Sequence, residues 1–240
     1  MAATLDRTTV LQKLAALDRR DGRRRAFGAS RHQYRLNPPL SLAVVEAFER
    51  RHGVSLPEDY RFFLTRIGDG GAGPCYGVLP FGKDDDDRDW EGGGLVGDLS
   101  KPFRRVAAWN LPNTFWDGEP DWGDDAPVEE QDRLMEAWDR ELKARYWNPA
   151  IMDGAIPICH KGCALRQWLV IHGERRGFVW DDFRADYCGL APVLDDHGEP
   201  VTFAGWYMAW LDESLQEASG PSCPTVVRFW PRLWGWFSGA

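Results

Sequence analysis

The chain has no run near the roughly 20 apolar residues that a membrane-spanning helix requires, and its opening MAATLDRTTVLQKL lacks the apolar centre of a secretion signal. A cytoplasmic protein is therefore expected. Cysteine is scarce and odd in number: Cys75, Cys159, Cys163, Cys188 and Cys223 are scattered through 240 residues. That pattern argues against a disulfide scaffold and for reduced thiols. Cys159, His160 and Cys163 stand close together, with Cys188 as a conceivable fourth ligand, but no second CxxC or HxxxH pair completes a tetrahedral zinc set. No metal and no cofactor is expected.

Catalytic motifs are missing as well. There is no GxSxG elbow and no HExxH helix, and Cys163 with His160 or His172 is only an inventory of residue types. GDGGAGPCYG follows a helix instead of introducing one, lacks a GK[ST] ending, and carries Asp69 where a phosphate would be repelled. DDDDRDWEGG lacks the spaced ligands and terminal Glu of a calcium loop. The abundant carboxylates cluster in polar loops, whereas glycosidase-type chemistry needs two held across a cleft with divergent proton affinities. The expectation is a protein that is not an enzyme.

What is present is packing material and an uneven charge. Apolar residues make up 43% of the chain and include 13 Trp, enough for one independently folding core. Residues 1–36 carry nine Lys and Arg against three acids, +6, which leaves −14 for the rest of a chain whose total is −8. Leu5, Val10, Leu11, Leu14 and Leu17 give an opening helix, and RRDGRRRAFGASRHQYR then packs seven arginines into seventeen residues. This arm either contacts nucleic acid or membrane, or lies back on the protein's own acidic surface; the second is preferred, because the whole molecule repels polyanions at long range.

Ser41 is placed to cap a helix patterned by Leu42, Val45 and Phe48 that ends near His52 and Gly53. In LPEDYRFFLTRIGDGGAGPCYGVLPF, residues 56–81, Pro57 suits the first helical position, and Tyr60, Phe63, Leu64 and Ile67 recur at helical spacing. Gly68 ends that helix. Gly70, Gly71, Gly73 and Gly77 form a turn before an apolar strand through Tyr76, Val78, Leu79 and Phe81, and the turn is expected to pack internally instead of lining a pocket. Consecutive aspartates place GKDDDDRDWEGGG in an exposed loop.

Pro127 opens a helix whose Val128, Leu134, Met135, Trp138, Leu142 and Tyr146 form a docking face. Ile156, Ile158, Trp168, Val170, Phe178 and Trp180 read as strands, with HGERRG a reverse turn between two of them. Thr202 caps a last helix buried through Phe203, Trp206, Tyr207, Trp210, Leu211 and Leu215. The aromatic segment 219–240 is expected to dock on the core.

The 56–81 string resembles the signature of the SUKH superfamily, the domain of fungal cell-wall-assembly regulators (Smi/Knr type) and of many bacterial immunity proteins. The resemblance extends upstream through Leu42, Val45 and Phe48 and downstream to WLVIHGERRGFVWDD and TFAGWYMAWLDESL, so it covers about residues 36–215. Asp69 stands where many relatives carry Asn, and the stretch from Asp84 to Trp147 is long and acidic beside the core pattern. The fold expected is α+β, with a mixed or antiparallel central sheet covered by helices. It divides into a basic N-terminal helix and arm at 1–36, a SUKH-like domain at 37–218 with an acidic insertion at about 84–147, and a tail at 219–240.

The resemblance implies a non-enzymatic protein-binding domain, either an immunity protein neutralising a cognate bacterial toxin, such as a nuclease, or a regulatory or scaffold module for an endogenous protein. Neither membrane nor nucleic acid is expected as a partner. The binding face is expected on two acidic loops: Asp84, Asp85, Asp86, Asp87, Asp89, Trp90 and Glu91 in the first, and Trp116, Asp117, Glu119, Asp121, Trp122, Asp124 and Asp125 in the second. The competing account makes these acids a solvated surface and the tryptophans core residues.

Overall fold

Alternation along the strands builds two cores on one sheet. Ile156 and Ile158 of β1 (Ala155–Gly162), Leu169 of β2 (Leu165–Val170) and Val179 of β3 (Val179–Asp182) join one buried cluster. The intervening Ala155, Trp168, Val170 and Trp180 join another with Phe103, Met152 and Leu190, as a period of two requires. β4 (Leu190–Pro192) completes an antiparallel sheet in the order β1-β2-β3-β4. The computed structural model describes residues 4–84, 86, 88–90, 94–121 and 127–218. Its helices and antiparallel sheet form the expected α+β fold. The expected docking of the tail lies outside the described residues.

The first core is covered by α1 (Arg7–Arg20), α3 (Leu42–His52), α4 (Glu58–Phe62) and α7 (Phe203–Glu217). Thr202 caps α7 by accepting the Gly205 N–H at 3.3 Å, and Phe203, Trp206, Tyr207, Trp210 and Leu211 are buried. α1 is capped by Asp6, which accepts the Thr9 N–H, and buries Val10, Leu14 and Leu17 in the same cluster as Phe63 and Tyr207. Ser41 occupies the cap position of α3 without a side-chain capping bond. Pro57 precedes the helix instead of opening it, and α4 passes into a wider turn, Phe63–Ile67, closed by Gly68 N–H to Phe63 O at 2.9 Å.

Single bridges cover the edges of the sheet. No strand forms through Tyr76–Phe81; Val78 alone bridges Cys159 of β1, Gly71 bridges Val78, and Leu36 bridges Gly71. On the far edge Trp109 bridges Leu190. Such contacts occupy backbone groups that an open edge would leave free to pair with another chain. β1 and β2 are joined by a two-residue turn, Cys163 and Ala164, both at positive φ (50° and 62°).

Residues 111–146 make a small core of their own. α5 (Asn113–Trp116) and α6 (Val128–Arg145) bring Leu111, Phe115, Leu142 and Tyr146 together, with Trp138 stacked on Phe115 at 4.6 Å. The apolar stripe of α6 docks only through its C-terminal half. Val128 and Leu134 are exposed, because helical spacing defines a face but does not supply a neighbour for it.

Candidate functional site

The two acidic loops differ in how their charge is held. In the first, Asp84 is buried, although consecutive aspartates read as a fully exposed loop. Its carboxylate accepts the N–H groups of Asp86 and Arg88, each at 2.9 Å, and the Arg88 Nε–H at 2.9 Å. A tight turn thus solvates one acid with its own backbone, which removes the cost of burial. Asp86 is exposed but pairs with Arg88, and Asp89 with Lys83. Trp90 is core: its indole donates to Lys83 O at 2.7 Å and its ring packs on Phe81 and Phe48. Asp85, Asp87 and Glu91 lie outside the described residues.

In the second loop Asp117, Glu119 and Asp121 are exposed, and among the described residues none of them pairs with a Lys or Arg. Trp116 is half-buried, donates to Leu111 O at 3.1 Å, and sets its ring edge-on to Tyr146 at 5.1 Å and Tyr187 at 5.3 Å. Tyr187 is 56% exposed and sits at φ 58°, a conformation that costs a side-chain-bearing residue energy. Trp122, Asp124 and Asp125 lie outside the described residues. Unpaired acids thus flank an aromatic ledge of Trp116 and Tyr187.

Buried ions hold this ledge to the sheet. Arg184 makes a two-pronged pair with Asp182 (2.9 and 2.7 Å) and donates to Tyr146 O at 3.0 Å, while the Tyr146 hydroxyl accepts the Gly189 N–H at 2.9 Å. The Arg184 backbone N–H and the Trp168 indole, each at 3.1 Å, bring the donors to Asp182 to four. The neighbouring Asp181 points to the other face and pairs with Lys161 at 2.7 Å; burial pushes its carboxyl upward and Lys161 pulls it back. Adjacent buried carboxylates in VWDD escaped the sequence reading. The available signal was strand alternation, which sends the two to opposite faces.

At the glycine turn the expectation of purely internal packing fails. Ala72 is fully buried and donates to Arg35 O at 2.7 Å, but Gly71, Tyr76, Gly77, Val78, Leu79 and Pro80 also line a cavity of about 380 Å³. The opposite wall is the basic arm, through Arg31, His32, Gln33, Arg35 and Asn37, with His160 of β1. The arm reaches this place by a short helix, α2 (Ala29–His32), and two residues at positive φ, Gln33 and Tyr34. His32 accepts the Tyr34 N–H at Nδ1 (3.1 Å); burial first, then the charge of Arg24, lower its pKa to about 4. Asp69, the departure noted in the signature, accepts the Phe81 N–H at 2.7 Å, and burial pushes its carboxyl upward.

Cys159, Cys163 and Cys188 do not form the conceivable ligand set, although Cys75 and Cys159 touch through a side-chain hydrogen bond. Cys159 is buried below the turn, donating to Pro74 O at 3.2 Å, whereas Cys163 and Cys188 are exposed. Among the described residues no three His, Cys, Asp or Glu converge in a way that could hold a metal. Among them also, no helix is long and apolar enough to cross a membrane.

A family model described as the SMI1 / KNR4 family (SUKH-1) matches residues 39–199, two thirds of the chain. The chain belongs to the SMI1/KNR4 (SUKH-1) family. That span holds the glycine turn, α5 and α6, and the whole sheet of this SUKH-1 protein, and ends just before α7. No curated protein and no solved structure matches the chain.

Proposed function

We propose that this SUKH-1 domain is a non-enzymatic binding protein that acts in the cytoplasm as an immunity protein, neutralising a cognate toxin of a polymorphic toxin system by direct contact. The observation that carries this reading is the ledge of Trp116 and Tyr187 beside unpaired Asp117, Glu119 and Asp121. Aromatic anchors bordered by unpaired charge suit a protein interface. A nuclease toxin needs a basic cleft to hold phosphates, and an acidic partner can enter that field and be steered into it. The paired acids Asp84, Asp86 and Asp89 contribute less, because Arg88 and Lys83 already neutralise them in part.

The test is association kinetics against the toxin encoded by the neighbouring gene, at several salt concentrations. Replacing Asp117, Glu119 and Asp121 together with their amides should slow association roughly tenfold at low ionic strength and flatten its salt dependence. Tyr187→Ala should mainly accelerate dissociation. Unchanged rates in both variants would remove the ledge from the interface. The absence of any neighbouring toxin gene, with recovery of a housekeeping protein instead, would favour the regulatory module.

A further inference from the structure

The cavity between the basic arm and the glycine turn has a charge opposite to that of the molecule around it. Arg31 and Arg35 both line it, and among the described residues no carboxylate does and neither arginine has a carboxylate partner. Arg31 instead lies over the Tyr76 ring at 5.8 Å, and that ring stacks on His160 at 5.6 Å with planes 25° apart. A guanidinium held over an aromatic face is oriented but keeps its hydrogen-bond donors, which is the form arginine takes when it awaits an oxyanion.

The site is built, not incidental. Its floor is backbone at Gly71 and Gly77, both at positive φ, and a Cβ at Gly77 would lie 2.3 Å from Gly71 O. Its wall holds Gln33 at φ 51°. A residue other than glycine held at positive φ beside a concave, charged surface, as Gln33 is, is a feature that binding sites share. The size, about 380 Å³, is at the small end of ligand pockets, which run to roughly 300–1,000 Å³. A long polyanion would meet the −14 carried by residues beyond the arm, whereas a small anion enters only the local field.

We infer that this cavity binds a small molecule bearing a carboxylate or phosphate group, with Arg31 and Arg35 holding the anionic group and the Tyr76–His160 pair lying against the remainder. This site is separate from the acidic ledge, so the two stand or fall independently.

The experiment is an NMR titration of the full chain with inorganic phosphate and, separately, glutarate, at ionic strength matched with chloride. Saturable shifts at the Gly71, Gly77 and Val78 amides are expected with at least one probe, and the tighter of the two identifies the head group. Combining Arg31→Gln with Arg35→Gln should weaken binding at least tenfold, while Arg23→Gln, which removes the same charge from an exposed position outside the cavity, should change it less than twofold. Both cavity arginines are exposed, so the double variant should melt like the parent; if it does not, each single variant is read in the same way. Equal weakening by Arg23→Gln, or no shift at those amides with either probe, would overturn the inference. So would saturable binding of a single-stranded oligonucleotide with no response to the small anions, which would make the arm a nucleic-acid contact.

Discussion

Gly28 of the arm and Cys75 of the glycine turn touch so closely that a Cβ on Gly28 would lie 1.5 Å from the Cys75 carbonyl oxygen. The arm is seated by this contact, by Ala72 N–H to Arg35 O, and by Asn37 Nδ2 to Asp69 O at 2.8 Å. Gly28→Ala adds a backbone clash to a φ of +75°, so the loss should exceed 3 kcal/mol, roughly the combined cost of overpacking and of a strained residue. Gly53→Ala is the control. Its φ is +64° with nothing within 4 Å of the added atom, and about 1 kcal/mol is expected. Chemical denaturation measures both; similar losses would show that the Gly28 contact relaxes freely.

His32 makes stability fall with acid. Its native pKa of about 4 lies below the usual 6.5, so the folded state prefers the neutral ring. Its contribution is complete above pH 6.5 and is lost as pH drops through 6.5 toward 4, by at most ~3 kcal/mol. The groups around it are Arg24, Tyr34 and Trp210, and none is a carboxylate that could stabilise the imidazolium. His32→Asn keeps an acceptor for the Tyr34 N–H and removes the titration, so its stability should vary less between pH 7 and pH 4.5. Parallel profiles for parent and variant would assign the acid limb elsewhere.

The sequence revealed the elements whose burial pattern is local. α3 was legible from Leu42, Val45 and Phe48, α7 from Thr202 and its aromatic stripe, and the reverse turn between β2 and β3 from HGERRG. The glycine turn also showed itself, but not the cavity beside it, because the second wall comes from an arm some forty residues upstream. Asp84 was misplaced for a different reason. A run of like charges describes a loop on average, while one member can turn inward if its own backbone N–H groups meet it. Of the described acids proposed for binding, only Asp117, Glu119 and Asp121 combine exposure with the lack of a described cationic partner, and pairing is a tertiary property that composition does not carry.

The turn joining β1 and β2 holds Cys163 and Ala164 at φ 50° and 62°, where Asn and Gly are the favoured residues. Replacing the pair with Asn-Gly should raise stability by about 1 kcal/mol and remove an exposed thiol without altering either strand. A lower melting temperature would mean that the present side chains make contacts worth more than the strain.

Arg184 couples the acidic ledge to the sheet, and this dependence can be separated from global stability. Arg184→Met leaves Asp182 buried with only the Trp168 indole and the Arg184 backbone N–H as donors, and breaking a buried pair on one side costs roughly 3–5 kcal/mol. The same change removes the donor to Tyr146 O and leaves the Gly189 N–H to the Tyr146 hydroxyl as the remaining hydrogen bond on the end of α6. Hydrogen exchange should therefore quicken first through residues 140–146, while β2, which is paired on both sides, stays protected. The ledge should lose its partner affinity at the same time, because Trp116 packs on Tyr146. Uniformly faster exchange across sheet and helix would show that the pair supports the whole fold and not the α6 cluster in particular.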